Sequence, residues 1–222
     1  EEDNLNFFEI STNKEFSWII DPICGTTNYL YNFPFYSHSV TLFRNNELFA
    51  AGVLDPLRNE LFFSYDNIFY LNNELLTLNK DIPLEEAVVS INTNQSNFDN
   101  SQHSLQYIID KLSPPICRRI RIMESANLEL AYVASGRFDG YFHNKINLWD
   151  IAAGVLIVKE AGGTTNDFSK YKENNINIRA ASTNIYTKMM EKLSKTKSTK
   201  QFSLIQFLSR CLIEKWAKMI QL

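Results

Sequence analysis

Six consecutive residues, Asp21-Pro22-Ile23-Cys24-Gly25-Thr26, combine side chains and backbone groups that can hold a cation and an anion side by side. Asp21 offers a carboxylate oxygen and Ile23 a backbone carbonyl freed by the break at Pro22. Gly25 and Thr26, leading into Thr27-Asn28, offer N–H groups arranged as an anion nest. Magnesium together with a phosphate suits such a loop. A plain strand-to-turn exit, with Asp21 capping the next element, accounts for the same residues. A second acidic position, Asp150, lies in the run from Asn147 to Gly163, which has a polar start, an acidic first turn, an apolar helix and a Gly162-Gly163 stop. There the helix macrodipole stabilises negative charge, and Ile151, Val155 and Val158 form a stripe to be buried. Asp150 fits a first-turn or capping residue as well as a metal ligand.

The elements that must position these residues follow from periodicity and turn signals. Phe16 to Ile20 is apolar and β-favouring, which predicts a short buried strand ending at Asp21, with Pro22 stopping the ladder. Ser37 to Arg44, Leu48 to Leu54, Glu60 to Tyr65 and Ile68 to Leu71 read as strands of an antiparallel meander. Asn45-Asn46, Asp55-Pro56 and Asn72-Asn73 supply turns. Beyond Pro83 the pattern changes to strand Val88 to Asn92, helix Asp99 to Leu112, strand Arg118 to Ile122, helix Asn127 to Ser135, a short strand and the Asp150 helix. Strand Ile178 to Ala181 and helix Ile185 to Leu193 close the pattern. Such alternation predicts an α/β lobe, and ligands of these sheets gather at strand ends, where Asp21 and Asp150 are expected to meet. The expected division is a metal- and phosphate-binding antiparallel lobe over 1–84, an α/β lobe over 85–194, and a tail over 195–222. In that tail a basic linker, Lys195 to Lys200, leads into an amphipathic helix carrying Ile205, Leu208, Leu212, Trp216 and Met219 on one face. Docking onto the body or a second subunit, or attachment to a membrane surface, would each use that face.

Composition excludes several classes. The chain has 222 residues, 45% of them hydrophobic and 21% charged, enough for one sizeable core or two small lobes. A net charge of −3 gives no basis for nucleic-acid binding. Three cysteines without metal-ligand spacing favour reduced thiols and a cytoplasmic setting, and neither a signal peptide nor a membrane-length apolar run is present. The chain starts at Glu1-Glu2 without an initiator methionine and reads as a fragment.

The two motifs together resemble the inositol monophosphatase family, whose signatures are similar to D-P-x-D-G-T-x-N and W-D-x-A-A-G. The resemblance covers Glu1 to about Lys192, with Glu1-Glu2 similar to the family's G-E-E element. It implies an α+β fold, a layered α/β sandwich of the inositol monophosphatase and fructose bisphosphatase type, with N-terminal helices missing from this chain. It also implies a lithium-sensitive, Mg2+-dependent phosphomonoesterase, a homodimer in many members. By resemblance, Glu1, Asp21 and the Ile23 carbonyl hold a first magnesium. Asp21, Cys24 and Asp150 hold a second, and Gly25 and Thr26 receive the phosphate. Glu1 and Thr26 are the catalytic pair. The family's acidic residue ahead of G-E-E, which pairs with the threonine at Thr26, has no counterpart, and the sheet face under the missing helices is expected to be an exposed apolar patch.

Three positions depart from the family pattern. Cys24 replaces an aspartate, which removes about one negative charge and offers a soft thiol of ordinary pKa roughly 8.5 where magnesium prefers hard oxygen. Mn2+ or Zn2+ would suit the altered position better, while a small, half-buried side chain would also account for Cys24. Glu124, in Met123-Glu124-Ser125-Ala126, replaces a glycine in a turn that faces substrate; it either crowds the phosphate with charge or points to solvent near the next helix. His143 stands where inositol-specific members carry a glutamate. It would bond a substrate hydroxyl, attract a second phosphate when protonated, or simply pack. Cys24, Gly25, Thr26, Glu124, Ser125, Ala126, His143 and Asp150 thus form the expected substrate-binding set.

The resulting expectation is metal-dependent hydrolysis of a small phosphomonoester, myo-inositol monophosphate or a related sugar phosphate, with activity impaired by Cys24 and truncation. The alternatives are a phosphatase-like binding or regulatory protein with weakened catalysis, and a fructose bisphosphate or nucleotide bisphosphate substrate.

Overall fold

In a computed structural model, residues 15–78, 81–93, 105–166 and 176–194 are described. The chain opens on strand β1 (Phe16–Cys24), the short helix α1 (Thr26–Leu30), and strands β2 (Ser37–Arg44), β3 (Glu47–Asp55), β4 (Glu60–Tyr65), β5 (Ile68–Leu71) and β6 (Glu74–Leu76). These six strands form one antiparallel sheet in sequence order. The meander is local because its turns are asparagine-rich. Asn45 and Asn46 at φ 50° and 65°, and Asp66 and Asn67 at 55° and 60°, adopt the left-handed conformation of two-residue hairpins joining Arg44 to Glu47 and Tyr65 to Ile68.

After a 3-10 turn at Leu84–Glu86 come β7 (Val88–Thr93), α2 (Leu105–Leu112), β8 (Arg119–Arg121), α3 (Ala126–Ala134), β9 (Gly140–Ile146), α4 (Ala152–Glu160), β10 (Thr164–Thr165), β11 (Ile176–Ala181) and α5 (Thr183–Ser194). The second sheet is mixed, in the order β10-β11-β9-β7-β8. β7 lies parallel to β8 and β9, and β11 antiparallel to β9 and β10. Helices α3 and α4 lie between the two sheets, which is why both are apolar all round: every residue of α3, and Ala152 to Val158 of α4, is buried. Gly154 permits their close approach, since a Cβ there would stand 2.5 Å from the Leu130 Cβ. A second core, with Leu84, Val89, Ile91, Ile108, Leu112, Phe142, Ile185 and Met189, joins α2 and α5 to the other face of the mixed sheet. The fold is therefore a layered α+β sandwich.

Several expectations need correction. β1 does not end at Asp21: it bulges at Pro22 and Ile23 and rejoins β2 where Cys24 faces Ser37. Proline removes one ladder hydrogen bond, and a bulge absorbs that loss without ending the strand. Nor is β1 buried throughout, because Phe16, Trp18 and Ile20 are 43%, 59% and 65% exposed on the sheet face opposite α4. Apolar composition marked a strand there but could not say whether its second face is covered. Asp150 is not in the first turn of its helix; it sits in a turn ahead of α4, whose N-cap is Ile151. The described helix α2 starts at Leu105, so the expected start at Asp99 lies outside the described residues, as do Glu1, the basic linker and the 201–222 helix.

Candidate functional site

The bulge in β1 shapes the site. By departing from the ladder between Asp21 and Cys24, it lets both side chains turn to one side, with the Asp21 Oδ1 accepting a hydrogen bond from the Ile23 N–H at 3.2 Å. Gly25 then takes φ +93°, which favours glycine. A Cβ on it would meet the Glu124 carbonyl and the Ser125 Cβ at 3.1 Å. That pinch presses the loop against the start of α3. The Ser125 hydroxyl donates to the Cys24 carbonyl at 2.9 Å, and the Asn127 N–H points at the Cys24 sulfur at 3.5 Å.

From the other side comes the turn before α4. One ligand atom each of Asp21, Cys24 and Asp150 lies within 4.8 Å of the others, with Asp21 and Cys24 buried and Asp150 half-buried. Burial raises the Asp21 carboxyl above its ordinary range, an effect that the adjacent Cys24 thiol, the Ile23 N–H and His38 partly offset. The thiol lies near enough to favour the carboxylate, yet no hydrogen bond of good geometry reaches the Asp21 Oδ2, which is buried without a partner among the described residues. Cys24 is 3% exposed, not half-buried, and burial, with the Asp21 and Asp150 charges added, drives its thiol well above the usual value. An orphaned carboxylate oxygen beside a thiol and a second carboxylate is a donor set that a divalent cation completes. The residues present therefore fit a metal.

The remaining expected residues divide. Thr26 opens α1 and is exposed, Gly25 and Ser125 adjoin Cys24, and Ala126 is the buried first residue of α3. Glu124 is exposed at φ +58°, so the turn keeps a backbone conformation that glycine adopts freely. Its carbonyl, rather than its carboxylate, faces Gly25. His143 sits inside β9, 8% exposed, with Nδ1 2.9 Å from the Tyr141 hydroxyl. Burial lowers its pKa to about 4, so the ring is neutral at physiological pH, and its Nε2 has no partner among the described residues. Tyr141 is itself fully buried, and burial drives its phenol well above the usual value, with the neighbouring Glu129 carboxylate adding to the effect.

Sequence reading missed the residues that hold the loops together. The Asn127 side chain donates to the Ser39 hydroxyl at 2.9 Å and to the Trp149 carbonyl at 3.1 Å, and accepts from the Gly154 N–H at 3.0 Å, so one amide ties β2, the Asp150 turn and α4. Asn28 donates to the carbonyls of Phe35 and Met123 at 2.7 and 2.6 Å. Glu129, fully buried, accepts from the Asn92 amide at 2.6 Å, from the Ser125 N–H at 3.0 Å and from the Ser90 hydroxyl. Burial pushes its pKa up to about 7 against these hydrogen bonds. A glutamate inside an apolar helical run was the available signal for Glu129. Asn127 and Asn28 resembled ordinary first-turn polar residues.

A model of the inositol monophosphatase family matches residues 1–201. The chain belongs to the inositol monophosphatase family. Family relatives include the inositol-1-monophosphatase of Rhizobium meliloti, 36% identical over 160 residues, which are 70% of this chain and 58% of that protein. The Nus factor SuhB of Xylella fastidiosa is 41% identical over 70% of this chain and 56% of its own length. The fructose-1,6-bisphosphatase/inositol-1-monophosphatase of Thermotoga maritima is 38% identical over 71% and 59%. The chain thus spans less than two thirds of the length of these relatives. Among solved structures, native extragenic suppressor protein SuhB of Bartonella henselae is similar with a TM-score of 0.75 at 28% identity, covering 85% of this chain and 74% of that one. The Thermotoga maritima inositol monophosphatase gives 0.70 at 34%, covering 82% and 69%. Both share the family's layered fold. Among the described residues no helix is long and apolar enough to cross a membrane.

Proposed function

We propose that the protein hydrolyses a small phosphomonoester in a metal-dependent reaction, with myo-inositol monophosphate or a related sugar phosphate as substrate. The observation that carries this reading is the convergence of Asp21, Cys24 and Asp150 beside the Gly25-Thr26 turn. In this proposal Asp21, the Ile23 carbonyl and Glu1, the last outside the described residues, hold one Mg2+. Asp21, Cys24 and Asp150 would hold a second divalent ion. When bound, such ions would polarise the phosphate oxygens and lower the pKa of a water molecule.

The chain's own groups bind and orient. The N–H groups of Gly25 and Thr26 and the Thr26 hydroxyl receive the phosphate, at a turn whose first N–H groups have no intrahelical acceptor. Glu1 and Thr26 orient the attacking water. Ser125 and Ala126 form the wall opposite, fixed by the Ser125 bond to the Cys24 carbonyl, and the exposed Glu124 borders the way in. His143, buried and neutral with Nδ1 engaged by the Tyr141 hydroxyl, brings no charge for a second phosphate, which favours a monophosphate over fructose bisphosphate or a nucleotide bisphosphate. The free thiols of Cys24 and Cys117 suit the reducing cytoplasm, and a homodimer is proposed from the family resemblance.

One observation favours a second reading, a phosphatase-like binding or regulatory protein with weakened catalysis: a protonated, buried thiol stands among the ligand atoms. Phosphate release from inositol monophosphate, with Mg2+, Mn2+ or Zn2+ supplied in turn, decides between them. The hydrolase reading expects release that Cys24→Asp increases with Mg2+ by at least about tenfold, because a second hard anion is restored. Absence of release from both forms with every ion would leave the binding protein.

A further inference from the structure

We infer that the cluster of Asp21, Cys24 and Asp150 selects a thiophilic divalent ion, of the Zn2+, Co2+ or Cd2+ class, over Mg2+. The inference rests on the metal-site part of the proposed function and is independent of turnover.

Geometry supports a shared ion. Ligand atoms bound to one such ion at roughly 2.0 to 2.3 Å lie about 3.3 to 3.8 Å apart in a tetrahedral arrangement. The three donor atoms here already lie within 4.8 Å of one another, so small side-chain rotations close the set. The Asp21 Oδ2, buried and without a hydrogen bond of good geometry among the described residues, has a lone pair to give. The Cys24 sulfur is held by the β1–β2 ladder at Ser37 and by the Asn127 N–H at 3.5 Å, an accepting contact that leaves its remaining lone pairs for a cation.

Donor chemistry then sets the choice of ion. Two carboxylates and one sulfur make a mixed hard and soft set. Mg2+ demands near-octahedral oxygen and dehydrates reluctantly, so it gains little from the sulfur. Zn2+, Co2+ and Cd2+ accept sulfur and oxygen together in low coordination numbers. Three protein ligands would leave at least one position of such an ion open, and Asp150 is the half-buried member of the set. On binding, the Cys24 S–H bond is replaced by a metal–sulfur bond and the proton passes to solvent, about one proton for each ion bound.

Titrating the metal-free protein with Co2+, without substrate, tests this directly. The expected result is a near-ultraviolet charge-transfer band from thiolate to cobalt that saturates with one ion, releases a proton, and survives a large excess of Mg2+. Cys24→Ser should lose the band and weaken Co2+ binding at least about tenfold, whereas Cys117→Ser, altering a thiol that donates to the Leu112 carbonyl, should keep it. Asp150→Asn leaves the sulfur untouched and should weaken binding while retaining the band at saturation, which preserves the test should Cys24→Ser misfold by circular dichroism. Co2+ binding without the band, a band retained by Cys24→Ser, or displacement by Mg2+ would overturn the inference. Phosphate release with Mg2+ alone, in the absence of the band, would leave the hydrolase reading standing. The band without any phosphate release would sink hydrolysis and leave the ion choice intact.

Discussion

Asp21 and Glu129 are both carboxylates buried in the same sandwich, both with raised pKa values, yet their surroundings are opposite. Glu129 has donors for both oxygens: the Ser90 hydroxyl on Oε1, and the Asn92 amide and Ser125 N–H on Oε2. Among the described residues Asp21 receives one hydrogen bond of good geometry, from the Ile23 N–H to Oδ1, while its second oxygen has none and stands beside a thiol and another carboxylate. A buried polar group that is fully satisfied holds a structure together, whereas one left unsatisfied marks a place where something from outside completes the set. Glu129 braces the turn that Gly25 packs against, and Asp21 faces the position that the braced turn shapes.

Breaking the Glu129 network gives the largest expected effect. Glu129→Leu strands the Ser90 hydroxyl, the Asn92 amide and the Ser125 N–H in an apolar interior, and urea unfolding should show a loss of about 4 kcal/mol. A loss below about 1 kcal/mol would mean that these donors find other partners.

Acidity sharpens the contrast next. Folding raises the Glu129 pKa to about 7 from an ordinary 4.5, so the protonated carboxyl is favoured in the native state. Its contribution to stability is complete below about pH 4.5 and disappears as pH rises through about 7, a change on the order of 3 kcal/mol. Glu129→Gln, which cannot ionise, should flatten that part of the stability profile measured by urea unfolding between pH 4 and about 8. Identical profiles for the two proteins would remove Glu129 as the source.

The smallest effect has the opposite sign. Asp21→Asn keeps an oxygen for the Ile23 N–H and removes a poorly solvated charge, so the metal-free protein should gain about 1 kcal/mol at pH 7. The same variant should lose divalent-ion binding in a calorimetric titration. A variant that is destabilised as strongly as Glu129→Leu would erase the distinction between the two carboxylates.

Much of this was legible along the chain. Turn chemistry at Asn45-Asn46 and Asn72-Asn73 located hairpins, because asparagine tolerates the left-handed backbone those turns require. The strand and helix patterns after Pro83 were readable because periods of two and 3.6 residues differ. The loop from Asp21 to Thr26 and the turn at Asp150 were readable as partners by family resemblance. Less legible was burial: Phe16, Trp18 and Ile20 look like core residues but lie on an outer sheet face. His143, readable as a group for a charged substrate, is neutral inside β9, a consequence of desolvation that no spacing encodes. Asn127 and Glu129 were not singled out as site residues because their partners, Ser39, Trp149, Ser90 and Asn92, are distant in sequence.

Local chemistry is what the amino-acid sequence determined by itself: a donor set of carboxylate, thiol and backbone nest, the two kinds of sheet, and the family. Turn preferences, hydrophobic periods and the hardness of ligand atoms are properties of short segments and need no fold to be read. The tertiary structure alone decided which atoms are left wanting a partner. Hydrogen-bond completion and desolvation depend on what the rest of the chain brings within a few ångströms, and that is how one buried carboxylate becomes a brace and another a ligand.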